Sequence, residues 1–287
     1  MASLRELKKR LLSIKSTGKL AGAMRTVATA KYGRVNSQRE TCAPYAAALN
    51  KLGEDASAAS QAKKADDGET EFDPAGKRKK PLYVLISSNR GLCGGYNHEL
   101  FNFFAENVPV KGDCLLVVCG RMAREYCREK GIEPLAVFDI PDLPSFEVSR
   151  GLAEFICGEY ETGEAESVSF VCQEFKNMLD CAPAVIPFLP APGGEEEEPR
   201  AERDMLFIPD AETVLRQIVP AGRAFAVHQR LISCAAGAAA ATLIAMRTAY
   251  DSSREQAAAL ETAINRRRQA EITGSVIETA SDLTRQQ

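Results

Sequence analysis

The glycine-rich stretch Ser87–Asn97 (SSNRGLCGGYN) is the place in this 287-residue sequence where residue type and position together suggest ligand chemistry. It follows an apolar run, Leu82–Ser87 (LYVLIS), and precedes a helical pattern. At such a junction α/β folds bind phosphate, through the free N–H groups of the helix start. The spacing argues against that use. No Lys-Ser/Thr follows the glycines, and Gly91, Gly94 and Gly95 do not form G-x-G-x-x-G. The next apolar run closes in Cys119-Gly120, with no acidic residue for a ribose. The other reading is a tight strand–helix turn in which glycine permits close packing, and spacing favours it.

No other constellation carries chemistry. The only histidines, His98 and His228, lie far from any Cys pair with zinc-ligand spacing. There is no Ser–His–Asp arrangement in a convincing loop and no G-x-S-x-G. The cysteines stand at 42, 93, 114, 119, 127, 157, 172, 181 and 234, with no CxxC pair. Most sit in apolar runs such as CLLVVC, which reads as buried, reduced thiols. Glu195–Glu198 reads as a solvated surface. No catalytic, cofactor-binding or metal-binding residue is assigned.

The elements around that loop are of two kinds. At the N-terminus, Leu4, Leu7, Leu11, Ile14, Gly18, Ala21, Arg25, Ala28, Tyr32 and Val35 follow alternating spacings of three and four. This is a coiled-coil seam, large at its start and small in its middle, where a partner helix can approach closely. Met1–Glu40 carries ten Lys/Arg against Glu6 and Glu40, a charge implying an acidic partner surface, nucleic acid or an anionic membrane. The membrane-surface reading is the weaker, because the opposite face has no Trp or Phe anchor. Pro44 suggests a kink.

At the other end, Leu231–Gln287 contains no proline and is rich in alanine. As helix it would span roughly 85 Å at about 1.5 Å per residue, more than a domain of this size covers. Its Arg266–Arg268 run suggests nucleic acid, but adjacent helical residues project in several directions rather than forming one flat face. No run reaches the length of apolar residues a membrane span needs, and the N-terminus lacks a signal-peptide core. The chain is therefore either not exported or has already lost a targeting sequence.

Between the long helices the pattern alternates. Strands are expected at Leu82–Ser87, Cys114–Cys119, Leu135–Ile140, Val168–Phe175 and Ala184–Leu189, with a short one at Met205–Ile208. Helices are expected at Asn97–Val108, Arg121–Lys130 and Ser145–Tyr160. That alternation implies a mainly parallel sheet covered by helices, with the last two long strands able to pair antiparallel at an edge. Asp210 is a good N-cap for a helix that Pro220 and Gly222 then break or bend. The expected organisation is an N-terminal coiled-coil helix (1–53), a polar linker (54–80), an α/β domain (81–208) and a C-terminal coiled-coil helix (209–287). The fold class is α/β: a long antiparallel coiled coil of the terminal helices with an inserted Rossmann-like domain, each helix supplying the other's apolar face.

Three blocks resemble the gamma-subunit family of the rotary, F-type ATP synthases. RLLSIKSTGKLAGAMRTVATAKY resembles R-L-x-S-I-x-x-x-x-K-I-x-x-A/S-M-x-M-V-A-x-x-K; SSNRGLCGGYN resembles S-[SD]-D-R-G-L-C-G-[GA]. AMRTAYDSS and NRRRQAEIT resemble A-M-x-x-A-x-x-N-A and N-x-x-R-Q-A-x-I-T. Order, spacing and chain length agree.

The resemblance implies mechanical work and no active site or cofactor. The antiparallel coil would enter a ring of alternating alpha and beta subunits. The α/β domain would meet an epsilon/delta-type stalk subunit and the membrane c-ring. The chain would bind no nucleic acid and not insert into the membrane. Proton-driven rotation of the c-ring would turn the shaft and drive each catalytic beta subunit through its conformations for ATP synthesis. Carried over by position, Arg268, Gln269 and Thr273 match residues that meet the beta subunit's catch loop, and Arg25 faces the same region. Asp204, Met205 and Phe207 match a stretch near the c-ring, and Arg90–Gly94 match the central loop.

The chain departs from the family at Gly237-Ala238 and Ala241-Thr242-Leu243, usually Ser-Glu and Ala-Arg-Met, and at Asn89, usually Asp. Ala-Lys-Tyr at 30–32 leans toward mitochondrial members, on the matrix side of the inner membrane; the bacterial plasma membrane is the alternative. The chloroplast redox cysteine pair is absent near Gly193. Two readings compete with the rotor shaft: a nucleotide-dependent α/β enzyme using the glycine loop, and a coiled-coil adaptor.

Overall fold

The structure, a computed structural model, describes residues 3–67, 80–109, 113–178, 180–190 and 210–285. The expected strand at Met205–Ile208 lies outside them.

Two helices account for most of the described residues. Helix α1 runs Leu4–Asp67. A capping box opens it: the Ser3 hydroxyl accepts the Glu6 N–H at 3.2 Å, and the Glu6 carboxylate accepts the Ser3 N–H at 2.8 Å. Neither Pro44 nor the expected linker ends it. Residues 54–67 are helical, which their alanine, glutamine and lysine content favours once the preceding turns exist. Helix α5 runs Ala211–Arg285, with Asp210 as N-cap accepting the Thr213 N–H at 2.8 Å. Pro220 and Gly222 lie inside it without breaking it, so the C-terminal helix begins 20 residues before Leu231. A proline costs about 3 kcal/mol in a helix interior, which packing along a helix this long offsets.

The chain forms two compact units, Met1–Ala30 with Thr242–Gln287, and Lys31–Ala241. In the first, α1 and α5 run antiparallel. Lys15 pairs with Glu261 at 2.6 Å, Gly18 faces Ser253, and Gly22 faces the Tyr250 ring. Rising numbers on one helix thus meet falling numbers on the other. The predicted seam is the covered face: Gly18, Ala21 and Ala28 are buried, and Leu4, Leu7, Leu11 and Ile14 half-buried. The glycines are the close-approach points, since a Cβ on Gly18 or Gly22 would stand 3.1 or 3.2 Å from the facing side chain.

The second unit holds a five-stranded sheet in the order β3-β2-β1-β4-β5. Its strands are β1 (Lys80–Ile86), β2 (Leu115–Cys119), β3 (Ala136–Phe138), β4 (Ala165–Phe175) and β5 (Cys181–Leu189). The first four pair in parallel and β5 closes the edge antiparallel to β4. Helices α2 (Tyr96–Asn107), α3 (Arg121–Lys130) and α4 (Phe146–Glu161) connect them. Strand alternation sorts the core. Leu82, Val84 and Ile86 point to the face covered by α4 and α5, through Leu152, Ile156, Val227 and Leu231. Leu85, Val118 and Val171 point to the face covered by α2 and α3, through Leu100, Phe104 and Ala123. A third cluster joins Val35 and Tyr32 of α1 to Ile232, Ala236 and Ala240 of α5 and Phe175 of β4.

Against the expectation that no run is long and apolar enough for a membrane span, helix α5 includes one by length and composition. In this unit its apolar residues Val227, Leu231, Ile232, Ala236 and Ala240 are buried in these clusters. At Gly237 α5 lies close against the sheet, a Cβ there meeting Phe175, Tyr96 and the Cys181 sulfur at 3.3–3.4 Å.

Candidate partner-binding surfaces

The glycine loop is built as a braced turn. Asn97, buried at the start of α2, accepts the Ser88 N–H at 3.3 Å and donates to the Ser88 hydroxyl at 2.7 Å and the Cys93 sulfur at 3.2 Å. Ser88 Oγ in turn lies 2.7 Å from Arg90 O as a donor. The loop's own side chains thus occupy polar groups that a phosphate would require. The Glu99 carboxylate stands against Gly95 at the helix start, where an anion would bind, and repels one. Gln173 donates to Tyr96 O at 2.9 Å and the Tyr96 hydroxyl donates to Cys234 O at 3.0 Å, both buried. Tyr96, at the start of α2, is thereby fastened to β4 and α5 and buried. Leu92 is an exposed non-glycine residue at φ +64°, held by the braced turn.

Cys119, Cys172 and Cys234 are buried, and burial pushes the Cys127 thiol up to about 11. Among the described residues no group of three or more His, Cys, Asp or Glu is placed to hold a metal ion.

The positions carried over from the family fall into separate places. Arg25 is half-buried, its guanidinium 4.7 Å from the centre of the Tyr250 ring, with Arg254 5.9 Å from the same ring. Arg268, Gln269 and Thr273 are all exposed on α5, and the Thr273 hydroxyl donates to Gln269 O at 2.9 Å. From Tyr250 to Arg268 is 18 residues, about 27 Å of helix, so the structure does not bring Arg25 and Arg268 together. The arginine run does spread round the helix: Arg267 turns back to Glu271 at 3.5 Å, while Arg266 and Arg268 are exposed. Asp204, Met205 and Phe207 lie outside the described residues.

Two polar contacts had no signal in the sequence. His228 of α5, buried, shares a 2.8 Å hydrogen bond with Ser149 of α4, between the rings of Phe146 and Phe225. Burial lowers its pKa. Lys31 of α1 pairs with Asp142, in the segment between β3 and α4, at 2.5 Å. Lys31 holds the Asp142 carboxyl below its ordinary range, with further help from Asn89 and Arg90.

A family model described as ATP synthase matches residues 3–282. The ATP synthase gamma chain of Desulforamulus reducens is 31% identical over 281 residues, covering 97% of each chain. That of Desulforudis audaxviator is 32% identical over 292 residues, again covering 97% of each. Among solved structures, a chain of the Euglena gracilis mitochondrial ATP synthase rotor superposes with a TM-score of 0.62 at 15% identity, covering 94% of this chain and 98% of that one. A match along almost the whole length, in both sequence and fold, leaves one conclusion: this chain belongs to the ATP synthase gamma-chain family.

Proposed function

We infer that this gamma chain is the central rotor shaft of an F-type ATP synthase and is itself without a catalytic site. The observation that carries the reading is the antiparallel pairing of α1 and α5 through the seam at Gly18, Ala21 and Ala28, in a chain aligned end to end with gamma chains. Rotation of the c-ring turns the pair inside the alpha–beta head and drives the beta subunits through their conformations. Arg268, Gln269 and Thr273 meet the beta catch loop, as their exposure allows, and Arg25 acts in the same region from its place beside Tyr250. Asp204, Met205 and Phe207 lie toward the c-ring, and the α/β domain meets an epsilon/delta-type subunit. The complex sits on an energy-coupling membrane with this chain peripheral to it. The sequence at 30–32 leans to mitochondria, whereas the two gamma chains compared above are bacterial.

Purification of the chain with its partners tests the reading. A single copy inside a proton-translocating ATPase, uncoupled when α5 is cut before Arg266, is the expected result. Tight nucleotide binding by the isolated chain at Gly91–Gly95 would overturn it in favour of the enzyme reading. Free helical pairing with no ATPase attached would favour the adaptor.

A further inference from the structure

Helix α1 is attached to the α/β unit in two physically different ways. Tyr32 and Val35 pack on Phe175, Ile232, Ala236 and Ala240, an apolar contact that is non-directional, to which Arg39 over the Phe175 ring at 5.4 Å and Tyr45 against Phe225 at 4.6 Å add ring contacts. Lys31 instead enters a directional network. Its ammonium donates to Asp142 Oδ2 at 2.5 Å. Asn89 donates through Nδ2 to Asp142 Oδ1 at 3.4 Å and to the backbone carbonyl of Ile140. The Asn89 Oδ1 accepts the N–H of Arg121, the first residue of α3, at 3.2 Å. Arg90 Nε stands 3.8 Å from the same Asp142 carboxylate. One carboxylate and one amide therefore tie α1 to the β1–α2 loop, the β3–α4 segment and the start of α3.

We propose that Asp142 and Asn89 act as positioning residues, a clamp fixing α1 at Lys31 against twisting so that torque passes between the shaft helix and the α/β domain. The proposal rests on the rotor-shaft reading above. The residue types suit the task. Asn89 must donate to one side and accept from the other, which an amide does and a carboxylate does not. Aspartate at 89 would lose both donated bonds and set a second negative charge beside Asp142. Lys31 and Asp142 are 40% and 39% exposed, so their pairing alone contributes little, and the clamp depends on the shared amide and the several elements it joins.

The test uses the whole synthase containing this chain, reconstituted in vesicles. The readout is ATP-driven proton pumping divided by ATP hydrolysis, which a merely structural role would not move in an assembled complex. Asn89→Asp should lower this ratio roughly threefold, the scale of coupling in a partly exposed charge network. Asn89→Asp with Asp142→Asn should recover part of the loss, because the opposed carboxylate is gone. Asp142→Asn alone, isosteric and at a partly exposed site, should also lower the ratio. A wild-type ratio in Asp142→Asn overturns the clamp even where Asn89→Asp fails to assemble. A ratio in the double variant no better than in Asn89→Asp also overturns it. An unmutated complex that hydrolyses ATP without pumping would remove the shaft reading instead, so the two failures are distinct.

Discussion

Gly120 gives a prediction whose size can be worked from its geometry. It stands between β2 and α3 at φ +95° and ψ 154°, a conformation in effect reserved for glycine. A Cβ there would lie 2.6 Å from Ser87 O and 3.0 Å from Ser87 Oγ. Ser87 cannot step aside. Its N–H donates to Cys119 O at 3.0 Å, and its hydroxyl accepts the Ala123 N–H at 2.8 Å. Backbone strain costs about 1–3 kcal/mol and an overpacked contact a further 1–3 or so. Gly120→Ala should therefore cost about 2–6 kcal/mol, a large share of the roughly 5–15 kcal/mol that holds a domain together. Two controls bracket it. Gly131 has φ +66° with open space around it, so Gly131→Ala carries only the left-handed penalty of about 1–2 kcal/mol. Gly33 lies inside α1 with nothing within 4 Å, so Gly33→Ala should stabilise by about 1 kcal/mol. Urea unfolding of the three variants, followed by far-UV circular dichroism, reads the series. Gly120→Ala no more costly than Gly131→Ala would refute the interlock of the β1 and β2 loops.

Three further expectations follow from other parts of the molecule. Arg268→Ala with Gln269→Ala should slow ATP hydrolysis by the assembled complex about fivefold, the effect of losing ~1 kcal/mol of coupling. Thermal stability should hold, since both side chains are exposed; unchanged turnover would sink the catch-loop assignment. His228 is held neutral by burial, so its folded pKa lies below the unfolded one, and the unfolded state binds more protons as pH falls through about 6.5. Stability of the α/β unit should thus decline from pH 7.5 toward 5.5, and His228→Asn should flatten that slope in a thermal melt series. Asp142 acts with the same sign in a lower pH window and from a different cause, its pairing with Lys31: its lowered pKa contributes stability above the ordinary Asp range, lost as pH falls below about 4. Melts of Asp142→Asn and the unmutated chain should therefore converge only in strong acid.

The seam of α1 was legible because one face of a helix must be apolar at every turn, and Gly18, Ala21, Ala28 and Val35 are the residues the structure buries. Helix α3 could be read to its ends, Arg121–Lys130, because Gly120 and Gly131 punctuate it. Strand β3 shortens from the expected Leu135–Ile140 to Ala136–Phe138: its register with β2 runs over Val117–Cys119, and beyond it Leu135 keeps a single hydrogen bond, its N–H donating to Leu116 O at 2.7 Å. Pro44 and Pro220 misled, since a local rule about helix breaking gives way in helices of 64 and 75 residues. The polar contacts were hidden for another reason. Lys31 and Asp142 are 111 residues apart, and Ser149 and His228 are 79 apart. No period or spacing in a sequence marks a pair that only the tertiary fold brings together.

The central claim is that this chain turns. A probe fixed to an exposed residue of the α/β unit, such as Glu166, can be watched in single surface-held complexes supplied with ATP. The rotor-shaft account predicts stepwise rotation in one direction that stops when ATP is withdrawn. A probe that stays still while the same complexes hydrolyse ATP at their full rate would contradict it.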